Sequence, residues 1–195
     1  MTRTITRLYD NRSDALEAAH ELERMGIDDD DVSIIASNKD RWYDSKGNLD
    51  DDDDSHSKAA SGAGKGAATG GVLGAGAGLL AGLGLLAIPG IGQVVAAGWL
   101  ASTLTGAAAG AVAGGAVGGL VGALTEAGVP EEEAHIYSEG VRRGGTLLTV
   151  RVDDDEVARV EAALSRYRPT DVRTRGEEYR QGGWTRFDPD QPSLY

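Results

Sequence analysis

Residues 66–125 contain no Asp, Glu, Lys, Arg or His, and 34 of these 60 residues are glycine or alanine. Glycine recurs there at every fourth position, at Gly66, Gly70, Gly74, Gly78 and Gly82, preceded by Gly62. It does so again at Gly106, Gly110, Gly114, Gly118 and Gly122. A spacing of four places residues on one ridge of an α-helix. Each interior glycine weakens a helix by about 1 kcal/mol relative to alanine, so a ladder of such residues costs roughly 5 kcal/mol unless a contact offsets it. A ridge without side chains lets a second backbone come close, with right-handed crossings near about -40°. The ladders therefore predict a glycine-zipper helical hairpin whose helices pair within one chain or between copies. A collagen-like reading fails because no Gly-X-Y period is present.

Leu79, Leu80, Leu83, Leu85, Leu86 and Ile88 make the first helix apolar. At about 1.5 Å per residue Gly66–Leu86 is about 32 Å long, against a hydrocarbon core of about 30 Å. Ile88-Pro89-Gly90-Ile91-Gly92 breaks it, with Pro89, Gly90 and Gly92 as the hairpin turn. Gln93–Leu104, which carries Trp99, is too short to cross alone and is read as interfacial or as an extension of the return helix. Gly106–Thr125 returns, with only Val112, Val117, Leu120, Val121 and Leu124 strongly apolar. Two readings stay open. In one the hairpin meets membrane lipid on the cytoplasmic side of the inner membrane. In the other it is buried in a soluble cytoplasmic homo-oligomer.

The flanks have globular patterns. Thr4–Tyr9 alternates as a strand; Ala15, Leu16, Ala19, Leu22 and Met25 share a helix face ended by Gly26; Val32–Ala36 is a short buried strand. The C-terminal flank repeats the plan with a strand over Thr146–Val152 and a helix carrying Val157, Val160, Leu164 and Tyr167. A last strand is expected at Asp171–Thr174. Two βαβ halves predict an α+β fold, a ferredoxin-like split βαβ domain with the hairpin inserted between its second and third strands. Both ends of the insertion should then lie on one side of any membrane. The expected divisions are 1–37 as the first half, 38–58 as an acidic linker containing Asp50–Asp54, and 59–127 as the glycine-zipper hairpin. Residues 128–175 hold a helix plus the second half, and 176–195 a flexible tail able to dock on a protein partner.

The formal charge of -12 argues against nucleic acid as a partner, because phosphate neutralisation needs clustered Lys and Arg. No cysteine is present for a thiolate site. Ala59–Gly66 imitates a phosphate-binding loop, but position 59 is alanine where the pattern needs glycine, and Gly66 stands where Ser or Thr would hold magnesium. His20, His56 and His135 lack metal-ligand spacing. No nucleophile, base and orienter can be named together. The expectation is a protein without catalytic residues, cofactor or metal.

Leu8-Tyr9-Asp10, the Ala15–Gly26 helix, Ile88-Pro89-Gly90-Ile91-Gly92, Gly128-Val129-Pro130-Glu131-Glu132-Glu133-Ala134 and Arg143-Gly144-Gly145-Thr146-Leu147-Leu148 together give a resemblance. Over roughly residues 4–173 the chain resembles the bacterial heat-induced or low-temperature-induced general stress proteins of the YflT type. That resemblance implies a stress-responsive protein without assigned catalysis, and it transfers no functional residue. The functional expectation is a non-enzymatic, stress-associated, self-assembling scaffold, membrane-associated through the hairpin. The alternative is a soluble oligomeric regulatory module that binds a small ligand through its paired βαβ units.

Overall fold

The structure, a computed structural model, describes residues 2–43, 83–110, 119–192 and 194. The first half of the chain begins with strand β1 (Thr2–Tyr9), helix α1 (Arg12–Arg24) and strand β2 (Val32–Ser37). Strands β3 (Gly84–Ile88) and β4 (Gly92–Gly98) follow, then helices α2 (Trp99–Gly110), α3 (Leu120–Glu126) and α4 (Glu131–Arg142). Strand β5 (Thr146–Asp153) and helices α5 (Val157–Leu164) and α6 (Val172–Gln181) complete it. The five strands form one antiparallel sheet in the order β1-β5-β2-β4-β3, which makes the fold mixed α+β.

Period-two alternation sends adjacent apolar residues to opposite faces, as with Leu8 and Tyr9, Ile34 and Ile35, and Leu147 and Leu148. One face packs on Ala15, Ala18 and Leu22 of α1 and on Val160 and Leu164 of α5. The other packs on Leu100, Leu104, Leu120, Leu124, Tyr137 and Val141 from α2, α3 and α4. All six residues of β2 are buried, as expected of a strand flanked on both sides and covered on both faces.

Several sequence expectations are corrected here. Gly84–Leu86, assigned above to the end of an apolar helix, is a strand. Pro89 and Gly90 turn a β-hairpin and not a helical one. Ile91 N–H donates to the Ile88 carbonyl at 3.1 Å, and Gly90 has φ +74°, the arrangement of a turn with proline second and glycine third. The cause is the open side of β2. Ser33–Ser37 pairs with Val94–Gly98, so the run that follows Gly92 satisfies its backbone in a sheet. Gln93–Gly98 is therefore strand, and helix begins only at Trp99. The Trp99 indole N–H donates to the Asp31 carbonyl at 3.2 Å, with the Arg151 guanidinium 4.8 Å over the ring.

The return segment 106–125 is not one helix. Gly119, at φ +79° and ψ -150°, precedes α3, whose Leu120, Val121, Ala123 and Leu124 are buried in the core. Among the described residues no helix is long and apolar enough to cross a membrane. The strand expected at Asp171–Thr174 is reduced to a single antiparallel bridge between Thr170 and Leu8. Asp171 then caps α6, its carboxylate accepting the Thr174 N–H at 2.8 Å, and that bond holds its carboxyl below the usual range. The tail expected to be loose is docked, with Tyr179 and Phe187 buried. Ala36 at the end of β2 lies opposite Thr146 at the start of β5.

Candidate functional site

Of the glycines in the two ladders, Gly66, Gly70, Gly74, Gly78, Gly82, Gly114 and Gly118 lie outside the described residues. Gly106 and Gly110 fall on α2 and Gly122 on α3. What the structure adds is the contact between the residues that flank positions 44–82. The Tyr43 hydroxyl donates to the Leu83 carbonyl at 2.9 Å, which brings the residues on either side of positions 44–82 together at one corner beside β3. That corner is tied to the domain. Asn38 Nδ2 donates to the Tyr43 carbonyl at 2.9 Å, Tyr43 N–H returns a bond to Asn38 Oδ1, and Trp42 Nε1 donates to the Ser37 carbonyl. The expected acidic linker is thus docked in its first six residues, 38–43, while Asp50–Asp54 lies outside the described residues.

Gly90 of the turn is held for two reasons. Its φ is positive, and a Cβ there would stand 2.8 Å from the Pro189 Cα, because the C-terminal segment crosses directly over the hairpin turn. Phe187 then enters the same core as Ile91 and Tyr137, and Tyr179 meets Trp184 edge to face at 5.6 Å between centroids. The strap is fastened by a charged cluster that sequence reading missed. Glu139, fully buried on α4, accepts from Arg142 at 2.9 and 3.1 Å and from Arg143 at 2.6 Å. Arg142 also donates to Gln191 Oε1 at 3.1 Å, and Arg143 lies 4.4 Å over the Tyr179 ring. The spacing of Glu139 from Arg142 and Arg143, three and four residues, was a readable signal for the ion pairs but not for their burial.

The opposite edge of the sheet carries a groove of about 170 Å³ along β1, with Arg3, Arg7, Glu133, Tyr137, Val157 and Glu161 in its walls. Arg3 pairs with Asp154 at 2.6 Å and Arg7 with Glu161 at 3.1 Å. The Tyr137 hydroxyl donates to the Thr6 carbonyl at 3.2 Å. Burial, reinforced by Glu133, pushes the Tyr137 pKa up to about 12.

These arrangements hold structure together and offer backbone and small polar surface. Among the described residues no group of His, Cys, Asp and Glu is placed to hold a metal ion. His20 and His135 stand apart on α1 and α4, and His56 and Ala59–Gly66 lie outside the described residues. No family model, curated protein or solved structure matches the chain.

Proposed function

We propose that this protein is a non-enzymatic, self-assembling scaffold in which the α+β domain is a fixed base for the glycine ladders. The observation that carries the reading is the closure at Tyr43 and Leu83. A bond of 2.9 Å joins Tyr43 to Leu83, the two residues that flank positions 44–82, in which the Gly66–Gly82 ladder falls. A glycine ridge is a poor helix on its own and a good one against a second backbone, which supports association as its purpose.

The domain is read as ferredoxin-like. The spatial succession Thr170, β1, β5, β2 supports this, with the fourth strand cut to one residue and β4-β3 added beyond β2. The stress association rests on the resemblance to the heat-induced or low-temperature-induced proteins. Lipid contact belongs to the same proposal and is confined to the part of the apolar segment that precedes Gly84.

Gly74→Leu combined with Gly114→Leu tests the ladder reading by sizing in solution. Loss of the high-mass species is expected, and an unchanged oligomer would overturn it. A carbonate wash of the particulate fraction separates the two environments. Retention supports lipid insertion, whereas a detergent-insensitive soluble particle means that the ladders bury one another.

A further inference from the structure

Beyond α6 the chain changes in how it is held. Gly183 N–H donates to the Arg180 carbonyl at 2.9 Å and Trp184 N–H to the Tyr179 carbonyl at 3.1 Å. With its ring also against Tyr179, Trp184 belongs to the helix end. Thr185 and Arg186 then run exposed. Among the described residues no backbone bond joins 185–192 to the sheet or to α4. The N–H groups of Asp190 and Gln191 bond only within the stretch, to the Asp188 carboxylate and the Asp188 carbonyl. What attaches it is Phe187 in the core, Pro189 over Gly90, and the Arg142 bond to Gln191 at 3.1 Å.

The groups beneath keep their partners without this stretch. Glu139 retains Arg142 at 2.9 and 3.1 Å and Arg143 at 2.6 Å, so releasing Gln191 strands no buried charge. Ile91 is fixed by its N–H bond to the Ile88 carbonyl, Tyr137 by its hydroxyl bond to the Thr6 carbonyl, and Leu147 by pairing with Leu8 and Ile35. Gly90, at φ +74°, keeps the turn free of a side chain where Pro189 crosses. Nothing in this list needs Phe187 in place.

We infer that residues 185–192 are a strap that lifts as one unit from the otherwise native domain, with exposed Thr185 and Arg186 as its hinge. Closed, it covers a preformed apolar seat for Phe187 beside the β3-β4 turn. Lifting breaks one hydrogen bond to the body and withdraws one aromatic plug, whereas removing any strand breaks a ladder. The strap therefore lies at the low-stability end of the structure, where local opening precedes global unfolding.

The Arg186–Phe187 bond reports the opening, because Arg186 is exposed while Phe187 is 3% exposed, and a protease cleft must take residues on both sides of the bond. The full chain is treated with trypsin, and release of the Phe187–Tyr195 fragment is followed by mass spectrometry across a urea series below the global transition. When reclosing outpaces cleavage, the release rate measures the open population. In water, release is expected to be slower by about tenfold or more than cleavage of a synthetic peptide spanning residues 184–195. Its urea dependence should be less than about one third of that of global unfolding, since little surface is exposed. Gln191→Ala should raise the rate in water about fivefold and leave that dependence unchanged. Release with the full urea dependence of unfolding would overturn the strap by making the segment part of the cooperative core. Release at the rate of the free peptide would overturn it by showing no closed form. An unchanged rate in Gln191→Ala would overturn Arg142–Gln191 as its fastening. The same rate is expected in the Gly74→Leu, Gly114→Leu background, and a rate that depended on the ladders would overturn a strap built into the single domain.

Discussion

The carboxylate of Glu139, fully buried on α4, is gripped by the guanidinium of Arg142 at 2.9 and 3.1 Å, and Arg142 is itself only 6% exposed. Two ions out of water are stable only while each has the other. Removing one partner is therefore far worse than removing both. Glu139→Ala is expected to cost about 3–5 kcal/mol in urea unfolding. The double variant Glu139→Met, Arg142→Met should cost clearly less than the single one, although Arg143 loses a partner as well. A single-variant loss below about 1 kcal/mol would mean that water reaches the carboxylate.

Phe187 makes a prediction about the strap that crosses Gly90. It is 3% exposed and shares a core with Ile91, Tyr137 and Leu147. Phe187→Ala should lower stability by about 3–5 kcal/mol and open residues 184–192 to proteolysis before the rest of the domain. A change within about 0.5 kcal/mol would show that the segment stands off the core in solution.

The elements legible in the sequence are those whose period is undisturbed. β1, α1, β2, β5 and α5 follow the alternation at Thr4–Tyr9, the helical spacing of Ala15, Ala19 and Leu22, and the repeat of that plan at Val160 and Leu164. The hairpin at Gly84–Gly98 was hidden because a short apolar run beside Gly and Pro suits strand or helix equally. The glycine spacing that precedes it favoured helix. α6 was misread because Val172 looks like a strand residue until Asp171 is recognised as its cap. The burial of Glu139 and Phe187 depends on which elements meet across more than forty residues of sequence, and no local period encodes that. The groove at β1 was not legible for the same reason: it exists because the chain leaves the sheet after Thr170.

Gly98 and Gly26 separate two costs that look alike in sequence. Both have φ +85°, but a Cβ on Gly98 would lie 2.1 Å from the Val32 carbonyl oxygen and 2.8 Å from the Ser33 Cα, whereas nothing lies within 4 Å of one on Gly26. Gly26→Ala should cost only the backbone strain, about 1–2 kcal/mol. Gly98→Ala must also push β4 away from β2, and it is expected to cost more than about 4 kcal/mol or to prevent folding. Equal losses in thermal unfolding would mean that the β2-β4 pairing yields easily there.

Tyr137 should make the domain sensitive to alkali. Its hydroxyl is buried against the Thr6 carbonyl, and burial first, then Glu133, raises its pKa from 10.0 to about 12. Burial also raises that of Tyr9. A raised folded pKa means that the fold favours the neutral phenol, while the unfolded chain ionises near pH 10. The stabilisation is complete below that pH and is lost as pH climbs from about 10 through about 12. Urea midpoints measured across that window should fall, and they should fall less steeply in Tyr137→Phe. That variant also loses about 1 kcal/mol at neutral pH with the bond to Thr6. Identical alkaline slopes in the two proteins would place the hydroxyl in water and remove the polar cover that it gives the outer edge of β1.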